Sequence, residues 1–284
     1  MNKKELIEVQ MMKINRLVDF NNHPYKVMRD SYLYELVESI KREGILVPII
    51  VRSIAGSSKY EIISGHRRKL AASCAGLKSV PVIIKNLADD EAVLYMVDSN
   101  LSRENVLPSE KAYAYKMKLA AMNHQGKSIT SGQNAPKFKS GKTSRSILAD
   151  NVGESERQIQ RYIRLTNLIP KILDMVDAGR IALTPAVELS YLSEEEQYEL
   201  YAVMDIEGIT PSFSQANRMK IKSNQGKLDM DTIYMILDEL KPNQREQIKI
   251  RADIFDGLIP NDYTPKQKMD LIISLVTEWA KKQK

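Results

Sequence analysis

The sequence predicts an α+β module at its start, an all-α domain after it, and a mainly helical region towards its end. Three observations predict this. Short β-rich runs alternate with helical periods up to Leu87, the β signal then disappears, and the rest carries helical spacing and capping residues. The resulting divisions are residues 1–105, 106–207 and 208–284.

Val9 to Asn15 reads as a strand. Tyr32 to Glu43 reads as a helix, because Leu33, Leu36, Val37 and Ile40 recur at helical spacing and Gly44 stands where a C-terminal cap is wanted. Pro48 to Arg52 and Lys59 to Ile63 flank the turn Ala55-Gly56-Ser57-Ser58, a hairpin signal. A helix from His66 ends at Gly76, and Val80 to Ile84 supplies another strand. Helices follow at Glu91 to Arg103 and, opened by Pro108, at Ser109 to Gln125. Residues 126–142 are small, polar and basic without periodicity, and read as a mobile loop. Thr143 to Val152 and Glu156 to Leu165 are short helices around Gly153, the second capped by Ser155. Further helices are expected at Pro170 to Ala178, from Thr184-Pro185, from the Ser193/Glu196 capping box to about Ile206, at Phe213 to Lys222 and at Asp229 to Leu240. Gln247 to Ile250 reads as a short strand. A final helix starts at Thr264-Pro265, with Met269, Ile272, Ile273, Val276 and Trp279 on one face that packs either on its own domain or on a second copy.

The chain has 284 residues, 43% hydrophobic and 27% charged, so it is globular with two or three domains. Lys and Arg number 42 against 36 Asp and Glu, and the net charge of +6 favours a polyanionic partner. No apolar run approaches a membrane span, and the start lacks the apolar segment of a signal peptide, which predicts a cytoplasmic protein with no membrane partner. The single cysteine, Cys74, excludes an internal disulfide. It sits among Ala71, Ala72 and Ala75, where buried packing is expected. His23, His66 and His124 show no zinc spacing.

Two clusters carry chemistry. In Ile62-Ile63-Ser64-Gly65-His66-Arg67-Arg68 an apolar strand stops at a glycine and a helix begins with two arginines. Free N–H groups at a helix start and guanidinium forks suit phosphate, and cations there oppose the helix dipole unless an anion joins them. The alternative is a solvated first turn. The second cluster is the helix pair at 143–166, a helix-turn-helix. Ile159, Ile163 and Tyr162 pack inward and leave Arg157, Gln158, Gln160, Arg161 and Arg164 outside, where they can meet base edges and phosphates. Thr143, Arg145 and Ser155 complete the candidate DNA contacts, and Lys127, Lys137, Lys139 and Lys142 of the loop would add salt-sensitive ones. The alternative is a helical hairpin with a solvated basic face.

Four segments resemble, in order and spacing, the ParB partition proteins of the ParB/RepB family. They are Gly44-Ile45-Leu46-Val47-Pro48, Ser64 to Ala72, Ser99 to Ala112, and the helix pair. The resemblance spans about Val9 to Leu192. The loop at 126–142 and the region after about 208 are closest in character to ParB-like proteins of plasmids and integrative conjugative elements of Gram-positive bacteria. It implies a ParB-like N-terminal domain that binds CTP with Mg2+, and a helix-turn-helix that reads a palindromic site in double-stranded DNA. It also implies a homodimer that closes round DNA as a clamp, a ParA-type ATPase partner, and a place on the nucleoid or plasmid. Carried over, Gly44 to Pro48 would line the base, Gly65, Arg67, Arg68 and Arg103 the phosphates, and Asn100 the magnesium. His66 would donate to phosphate, stack on the base or cap its helix.

Two departures stand out. Where ParB proteins have Gly-Glu-Arg-Arg this chain has His66, and where they have Glu-Asn-x-x-Arg it has Ser99, so the acidic groups nearest the metal are missing. Asp98 is about 100° round the helix from position 99 and does not substitute. Weaker metal dependence is expected, and CTP hydrolysis is left open. The competing readings are a site-specific transcriptional regulator with a ParB fold and no nucleotide turnover, and a ParB-like nuclease. Sulfiredoxin chemistry would need a cysteine where Gly65 stands, and a nuclease would need clustered carboxylates or histidines around His66.

Overall fold

A computed structural model of the protein describes residues 8–101, 103, 106–129, 143–239, 255, 258–259 and 263–282. It divides into two compact units, Met1–Asp238 and Glu239–Lys284.

The first unit begins with β1 (Val9–Lys13), a 3-10 turn, and β2 (Leu17–Val18), and continues with α1 (Ser31–Glu43), β3 (Ile49–Ser53), β4 (Tyr60–Ser64), α2 (His66–Cys74) and β5 (Ser79–Ile84). The strands form one sheet in the order β1-β5-β3-β4-β2. β3 and β4 make the expected antiparallel hairpin, β1 runs antiparallel to β5, and the β3–β5 and β4–β2 pairs are parallel. β2 was not foreseen, because two residues are too few to show a period. Ile62 of β4 packs with Ile49, Val51, Ala72, Val80 and Val82 on one face, while the adjacent Ile63 packs with Phe20, Met96 and Val97 on the other. Helix α1 lies on α2 through Leu33, Val37, Ile40 and Ala71. Cys74 is exposed, contrary to expectation. Ala71 and Ala72 take the buried side of α2 and leave its last residue facing out.

Helices α3 (Asp89–Leu101) and α4 (Pro108–Ile129) follow. α4 runs through 126–129, where the loop was expected to have begun, so Gly126 does not stop it. A long helix carries one glycine at a cost of about 1 kcal/mol. The remainder of the expected loop, 130–142, lies outside the described residues, as does the strand expected at 247–250. In α4 neighbouring residues serve different cores. Ala112 joins the core of the later helices, Ala114 the core under the sheet, and Tyr115 the core of the next two helices.

Those two are α5 (Ser144–Val152) and α6 (Glu156–Arg164), and beyond them lie α7 (Pro170–Asp177), α8 (Leu183–Leu189), α9 (Glu194–Glu207), α10 (Phe213–Asn224) and α11 (Met230–Asp238). α9 has the predicted capping box, Ser193 with Glu196. Packing continues past position 207, with Ala216, Met219, Ile233, Ile236 and Leu237 in the same core as α7, α8 and α9. In the second unit α12 (Pro265–Lys282) starts at Thr264, whose Oγ1 accepts from the Gln267 N–H, and it leaves Met269, Ile273, Val276 and Trp279 exposed. No helix among the described residues is long and apolar enough to cross a membrane.

Gln197 of α9 is 1% exposed and knits three segments together. Its Oε1 accepts from Ile169 N–H at 2.8 Å, and its Nε2 donates to the carbonyls of Asn167 and Leu192, both at 3.1 Å. Gln197→Leu leaves these backbone groups without their partner and should cost about 2–4 kcal/mol. Urea unfolding should show the midpoint falling with an unchanged slope.

Candidate functional site

Gly65 ends β4 and precedes α2 with φ +113, a left-handed conformation that suits glycine. A Cβ there would come within 3.3 Å of the Arg68 guanidinium and of Ile49 Cγ1. The glycine therefore lets strand and helix meet tightly enough for the first turn of α2 to line a cavity of about 180 Å³. Gly65, His66, Arg67 and Arg68 border it, with Ser64 from β4, Ser99, Asn100 and Arg103 from the end of α3 and beyond, and His23, Tyr25, Lys26 and Val27 from the segment after β2.

His66 is buried, and its Nε2 accepts from the Phe20 N–H at 3.3 Å, which assigns the ring proton to Nδ1. Its ring centroid lies 3.8 Å from that of His23. Burial, with His23 and nearby cations adding to it, pushes the His66 pKa down to about 3. His23 is lowered in the same direction, chiefly by burial, and its Nδ1 donates to the Tyr25 carbonyl at 2.8 Å. Arg67 makes a bidentate bond to Asp30, at 2.8 and 3.2 Å, and Asp30 also caps α1 by accepting from the Leu33 N–H at 2.8 Å. The Arg67 guanidinium holds the Asp30 carboxyl below the usual carboxylate range. Arg68 donates to the carbonyls of Val47 and Pro48, and burial lowers its pKa. The Arg103 guanidinium lies over the Tyr25 ring, 5.6 Å from its centroid. Burial raises the Tyr25 hydroxyl well above its ordinary range.

Six expected residues thus share one wall: Gly65, His66, Arg67, Arg68, Asn100 and Arg103. Gly44 and Pro48 do not line it. Gly44 closes α1 at φ +72, and Pro48 reaches the site only by its carbonyl on Arg68. Sequence reading passed over His23, Tyr25, Lys26 and Val27 as lining residues, while Ser64 and Ser99, which it met inside the motifs, line the cavity as well. The signal at hand was a histidine directly before Pro24. Lys26 ties this segment to the helical domain. Its N–H donates to Glu110 at 2.7 Å, and its Nζ pairs with Asp174 and Asp177 at 3.0 Å, Asp177 in turn accepting from the Ser109 N–H and hydroxyl.

The second expected cluster sits across α4. Thr143 caps α5 by accepting from Ser146 N–H, Gly153 turns the chain at φ +69, and Ser155 caps α6 by accepting from Gln158 N–H. Leu148, Ala149 and Ile159 bury against Tyr115 of α4, with Tyr162 and Ile163 partly buried beside them. Thr143, Arg145, Ser155, Arg157 and Gln160 are exposed. Gln158 is half-buried and accepts from Arg161, which also donates to Thr184 Oγ1 at 2.6 Å. Arg164, expected on the outer face, is turned into the fold. It donates to Ser190 Oγ at 3.1 Å and Ser190 O at 2.9 Å and stacks over Tyr191, because α6 ends beside the start of the α8–α9 turn.

Residues 1–101 match the ParB N-terminal domain family. The N-terminal module is a ParB domain. The chain is 27% identical over 279 residues to a probable chromosome 1-partitioning protein ParB of Deinococcus radiodurans, covering 95% of this chain and 88% of that one. It is 36% identical over 171 residues to a probable chromosome-partitioning protein ParB of Neisseria meningitidis, covering 60% of this chain and about half, 53%, of the relative. The crystal structure of C-terminally truncated ParB from Caulobacter crescentus complexed to the centromeric parS site aligns with 75% of this chain and 99% of that one, at 22% identity and a TM-score of 0.42.

The donors around the ParB cavity do not suit magnesium. Among the described residues no carboxylate lines it, and no cluster of three or more His, Cys, Asp or Glu could hold a metal ion. The Ser99 hydroxyl and the Asn100 amide nitrogen both donate to Met96 O, at 2.9 and 2.8 Å, and Asp98 pairs with Lys118 of α4. What is left are uncharged oxygens, the Asn100 amide and the hydroxyls of Ser64, Ser99 and Tyr25, where Mg2+ asks for six oxygens in near-octahedral array with carboxylate or phosphate among them.

His66 sets a pH dependence. Below about pH 6.5 the unfolded chain takes up a proton that buried His66 refuses until about 3. Its contribution to stability is therefore whole above pH 6.5 and lost as the pH falls towards 3. Unfolding free energy measured between about pH 7.5 and 4.5 should fall less steeply for His66→Gln than for the native protein, with His23 leaving a residual slope. Equal slopes would show that His66 is not buried neutral.

Proposed function

We propose that this chain is a sequence-specific DNA-binding partition protein whose ParB module binds a nucleotide, CTP by the resemblance of its motifs. It works as a homodimeric clamp in segregating a chromosome, plasmid or mobile element, with a ParA-type ATPase as partner. The observation that carries the reading is the continuity of α4. Its Ala114 packs under the sheet that builds the cavity, and its Tyr115 supports the helix pair that exposes Arg145, Arg157 and Gln160. The relatives named as chromosome-partitioning proteins support the same reading. Exposed arginine and glutamine at the start of α6 suit guanine and adenine edges in a major groove, and the caps Thr143 and Ser155 stand at helix N-termini, which favour phosphate. The apolar face of α12 supports self-association.

One observation favours a second reading, a site-specific regulator without turnover: among the described residues the cavity has no carboxylate to activate water, and His66 already spends Nε2 on Phe20. Footprinting on DNA selected by the purified protein separates the two. With CTP, ATP, GTP and UTP tried in turn, protection spreading from the palindrome with one nucleotide supports the clamp, and protection confined to the palindrome in every case supports the regulator.

Arg157→Ala should reduce discrimination between selected and random DNA by about tenfold or more, the worth of one base contact. Arg164→Ala should instead lower the thermal midpoint, because it breaks the tie to Ser190. Competition binding and thermal unfolding of the two variants check this contrast.

A further inference from the structure

We propose that the ParB cavity binds a nucleoside triphosphate without a divalent cation, its phosphates neutralised by guanidinium and ammonium groups alone. This rests on the reading of the cavity as a nucleotide site and specifies how that site handles charge.

Among the described residues the charged groups lining the cavity are Lys26, Arg67, Arg68 and Arg103, with no Asp or Glu. Two of these cations meet only dipoles among the described residues. Arg68 is held by the Val47 and Pro48 carbonyls, and Arg103 lies over the face of Tyr25. A carbonyl or an aromatic face satisfies geometry and leaves the charge uncompensated, and for the half-buried Arg68 a bound anion relieves that cost, while Arg103 is exposed and open to one. Arg67 is oriented by Asp30 and Lys26 by Asp174 and Asp177, so all four cations are held in place before the ligand arrives.

A divalent cation would meet the opposite conditions. It would enter beside the two guanidinium groups that no described carboxylate answers, Arg68 and Arg103, and find uncharged oxygens as ligands, the Asn100 amide and the hydroxyls of Ser64, Ser99 and Tyr25. Phosphate sites that use magnesium hold it by one or two carboxylates together with the substrate's own oxygens. Asp98, beside Ser99 in sequence, is engaged by Lys118 on α4. Arginine forks meet phosphate oxygens in pairs and need no metal to do so.

The test is equilibrium binding of CTP to the full-length protein in magnesium and in EDTA. The expected result is a Kd unchanged within about threefold. Affinity falling by about tenfold or more in EDTA would overturn the inference while leaving the nucleotide reading intact. Binding of no CTP in either buffer would overturn the nucleotide reading, and the inference with it. Ser99→Glu supplies an independent arm, since position 99 is exposed on the cavity wall and can take the longer side chain. In EDTA its carboxylate should weaken CTP binding by about tenfold, and magnesium should restore it. A Ser99→Glu protein that binds CTP like the native chain in both buffers would overturn the placing of the phosphates at this wall.

Discussion

Ile62 and Ile63 point to opposite faces of β4 and both are fully buried. A slip of one residue would exchange the two faces, so the register of this strand is fixed twice, once by each core. That constraint decides where the strand ends and therefore where Gly65 turns the chain into α2. The three residues that follow, His66, Arg67 and Arg68, inherit their directions from it.

Around this junction the cations are held by unlike partners. Asp30 serves both the start of α1 and the guanidinium of Arg67, so capping of the first helix and orientation of the site are one interaction. On the far side Asp177 gathers Ser109 and Lys26, which brings the segment bearing His23 and Tyr25 onto the beginning of α4 and the end of α7. The Lys26 pairs are partly exposed and individually worth little. Glu110, which is buried and accepts from the Lys26 and Leu107 N–H groups, anchors the same segment more firmly.

Much of this was legible in the sequence. The strands and helices that enclose the cavity showed themselves by period and by their glycine ends, and so did the capped pair around Gly153. The wall formed by Gly65 to Arg68 with Asn100 and Arg103 emerged from the motif resemblance. The rest was hidden for physical reasons. Residues 19–30 follow no period, because they are held by side chains distant in sequence, such as Glu61, Glu110 and Asp177. Cys74 looked buried because its neighbours are small, but helix phase and not residue size decides which side faces the core. Arg164 looked like its exposed neighbours, and only the arrival of Ser190 and Tyr191 from a later turn draws it inward.

Helix α4 holds three cores with Ala112, Ala114 and Tyr115. Each added or lost residue in a helix turns everything beyond it by about 100° and moves it by about 1.5 Å. An insertion between Ala112 and Tyr115 would therefore carry one core's knob to another core's hole, even if every side chain kept its chemistry. The number of residues between Ala112 and Tyr115 is as tightly constrained as their identity, since three cores are phased by it.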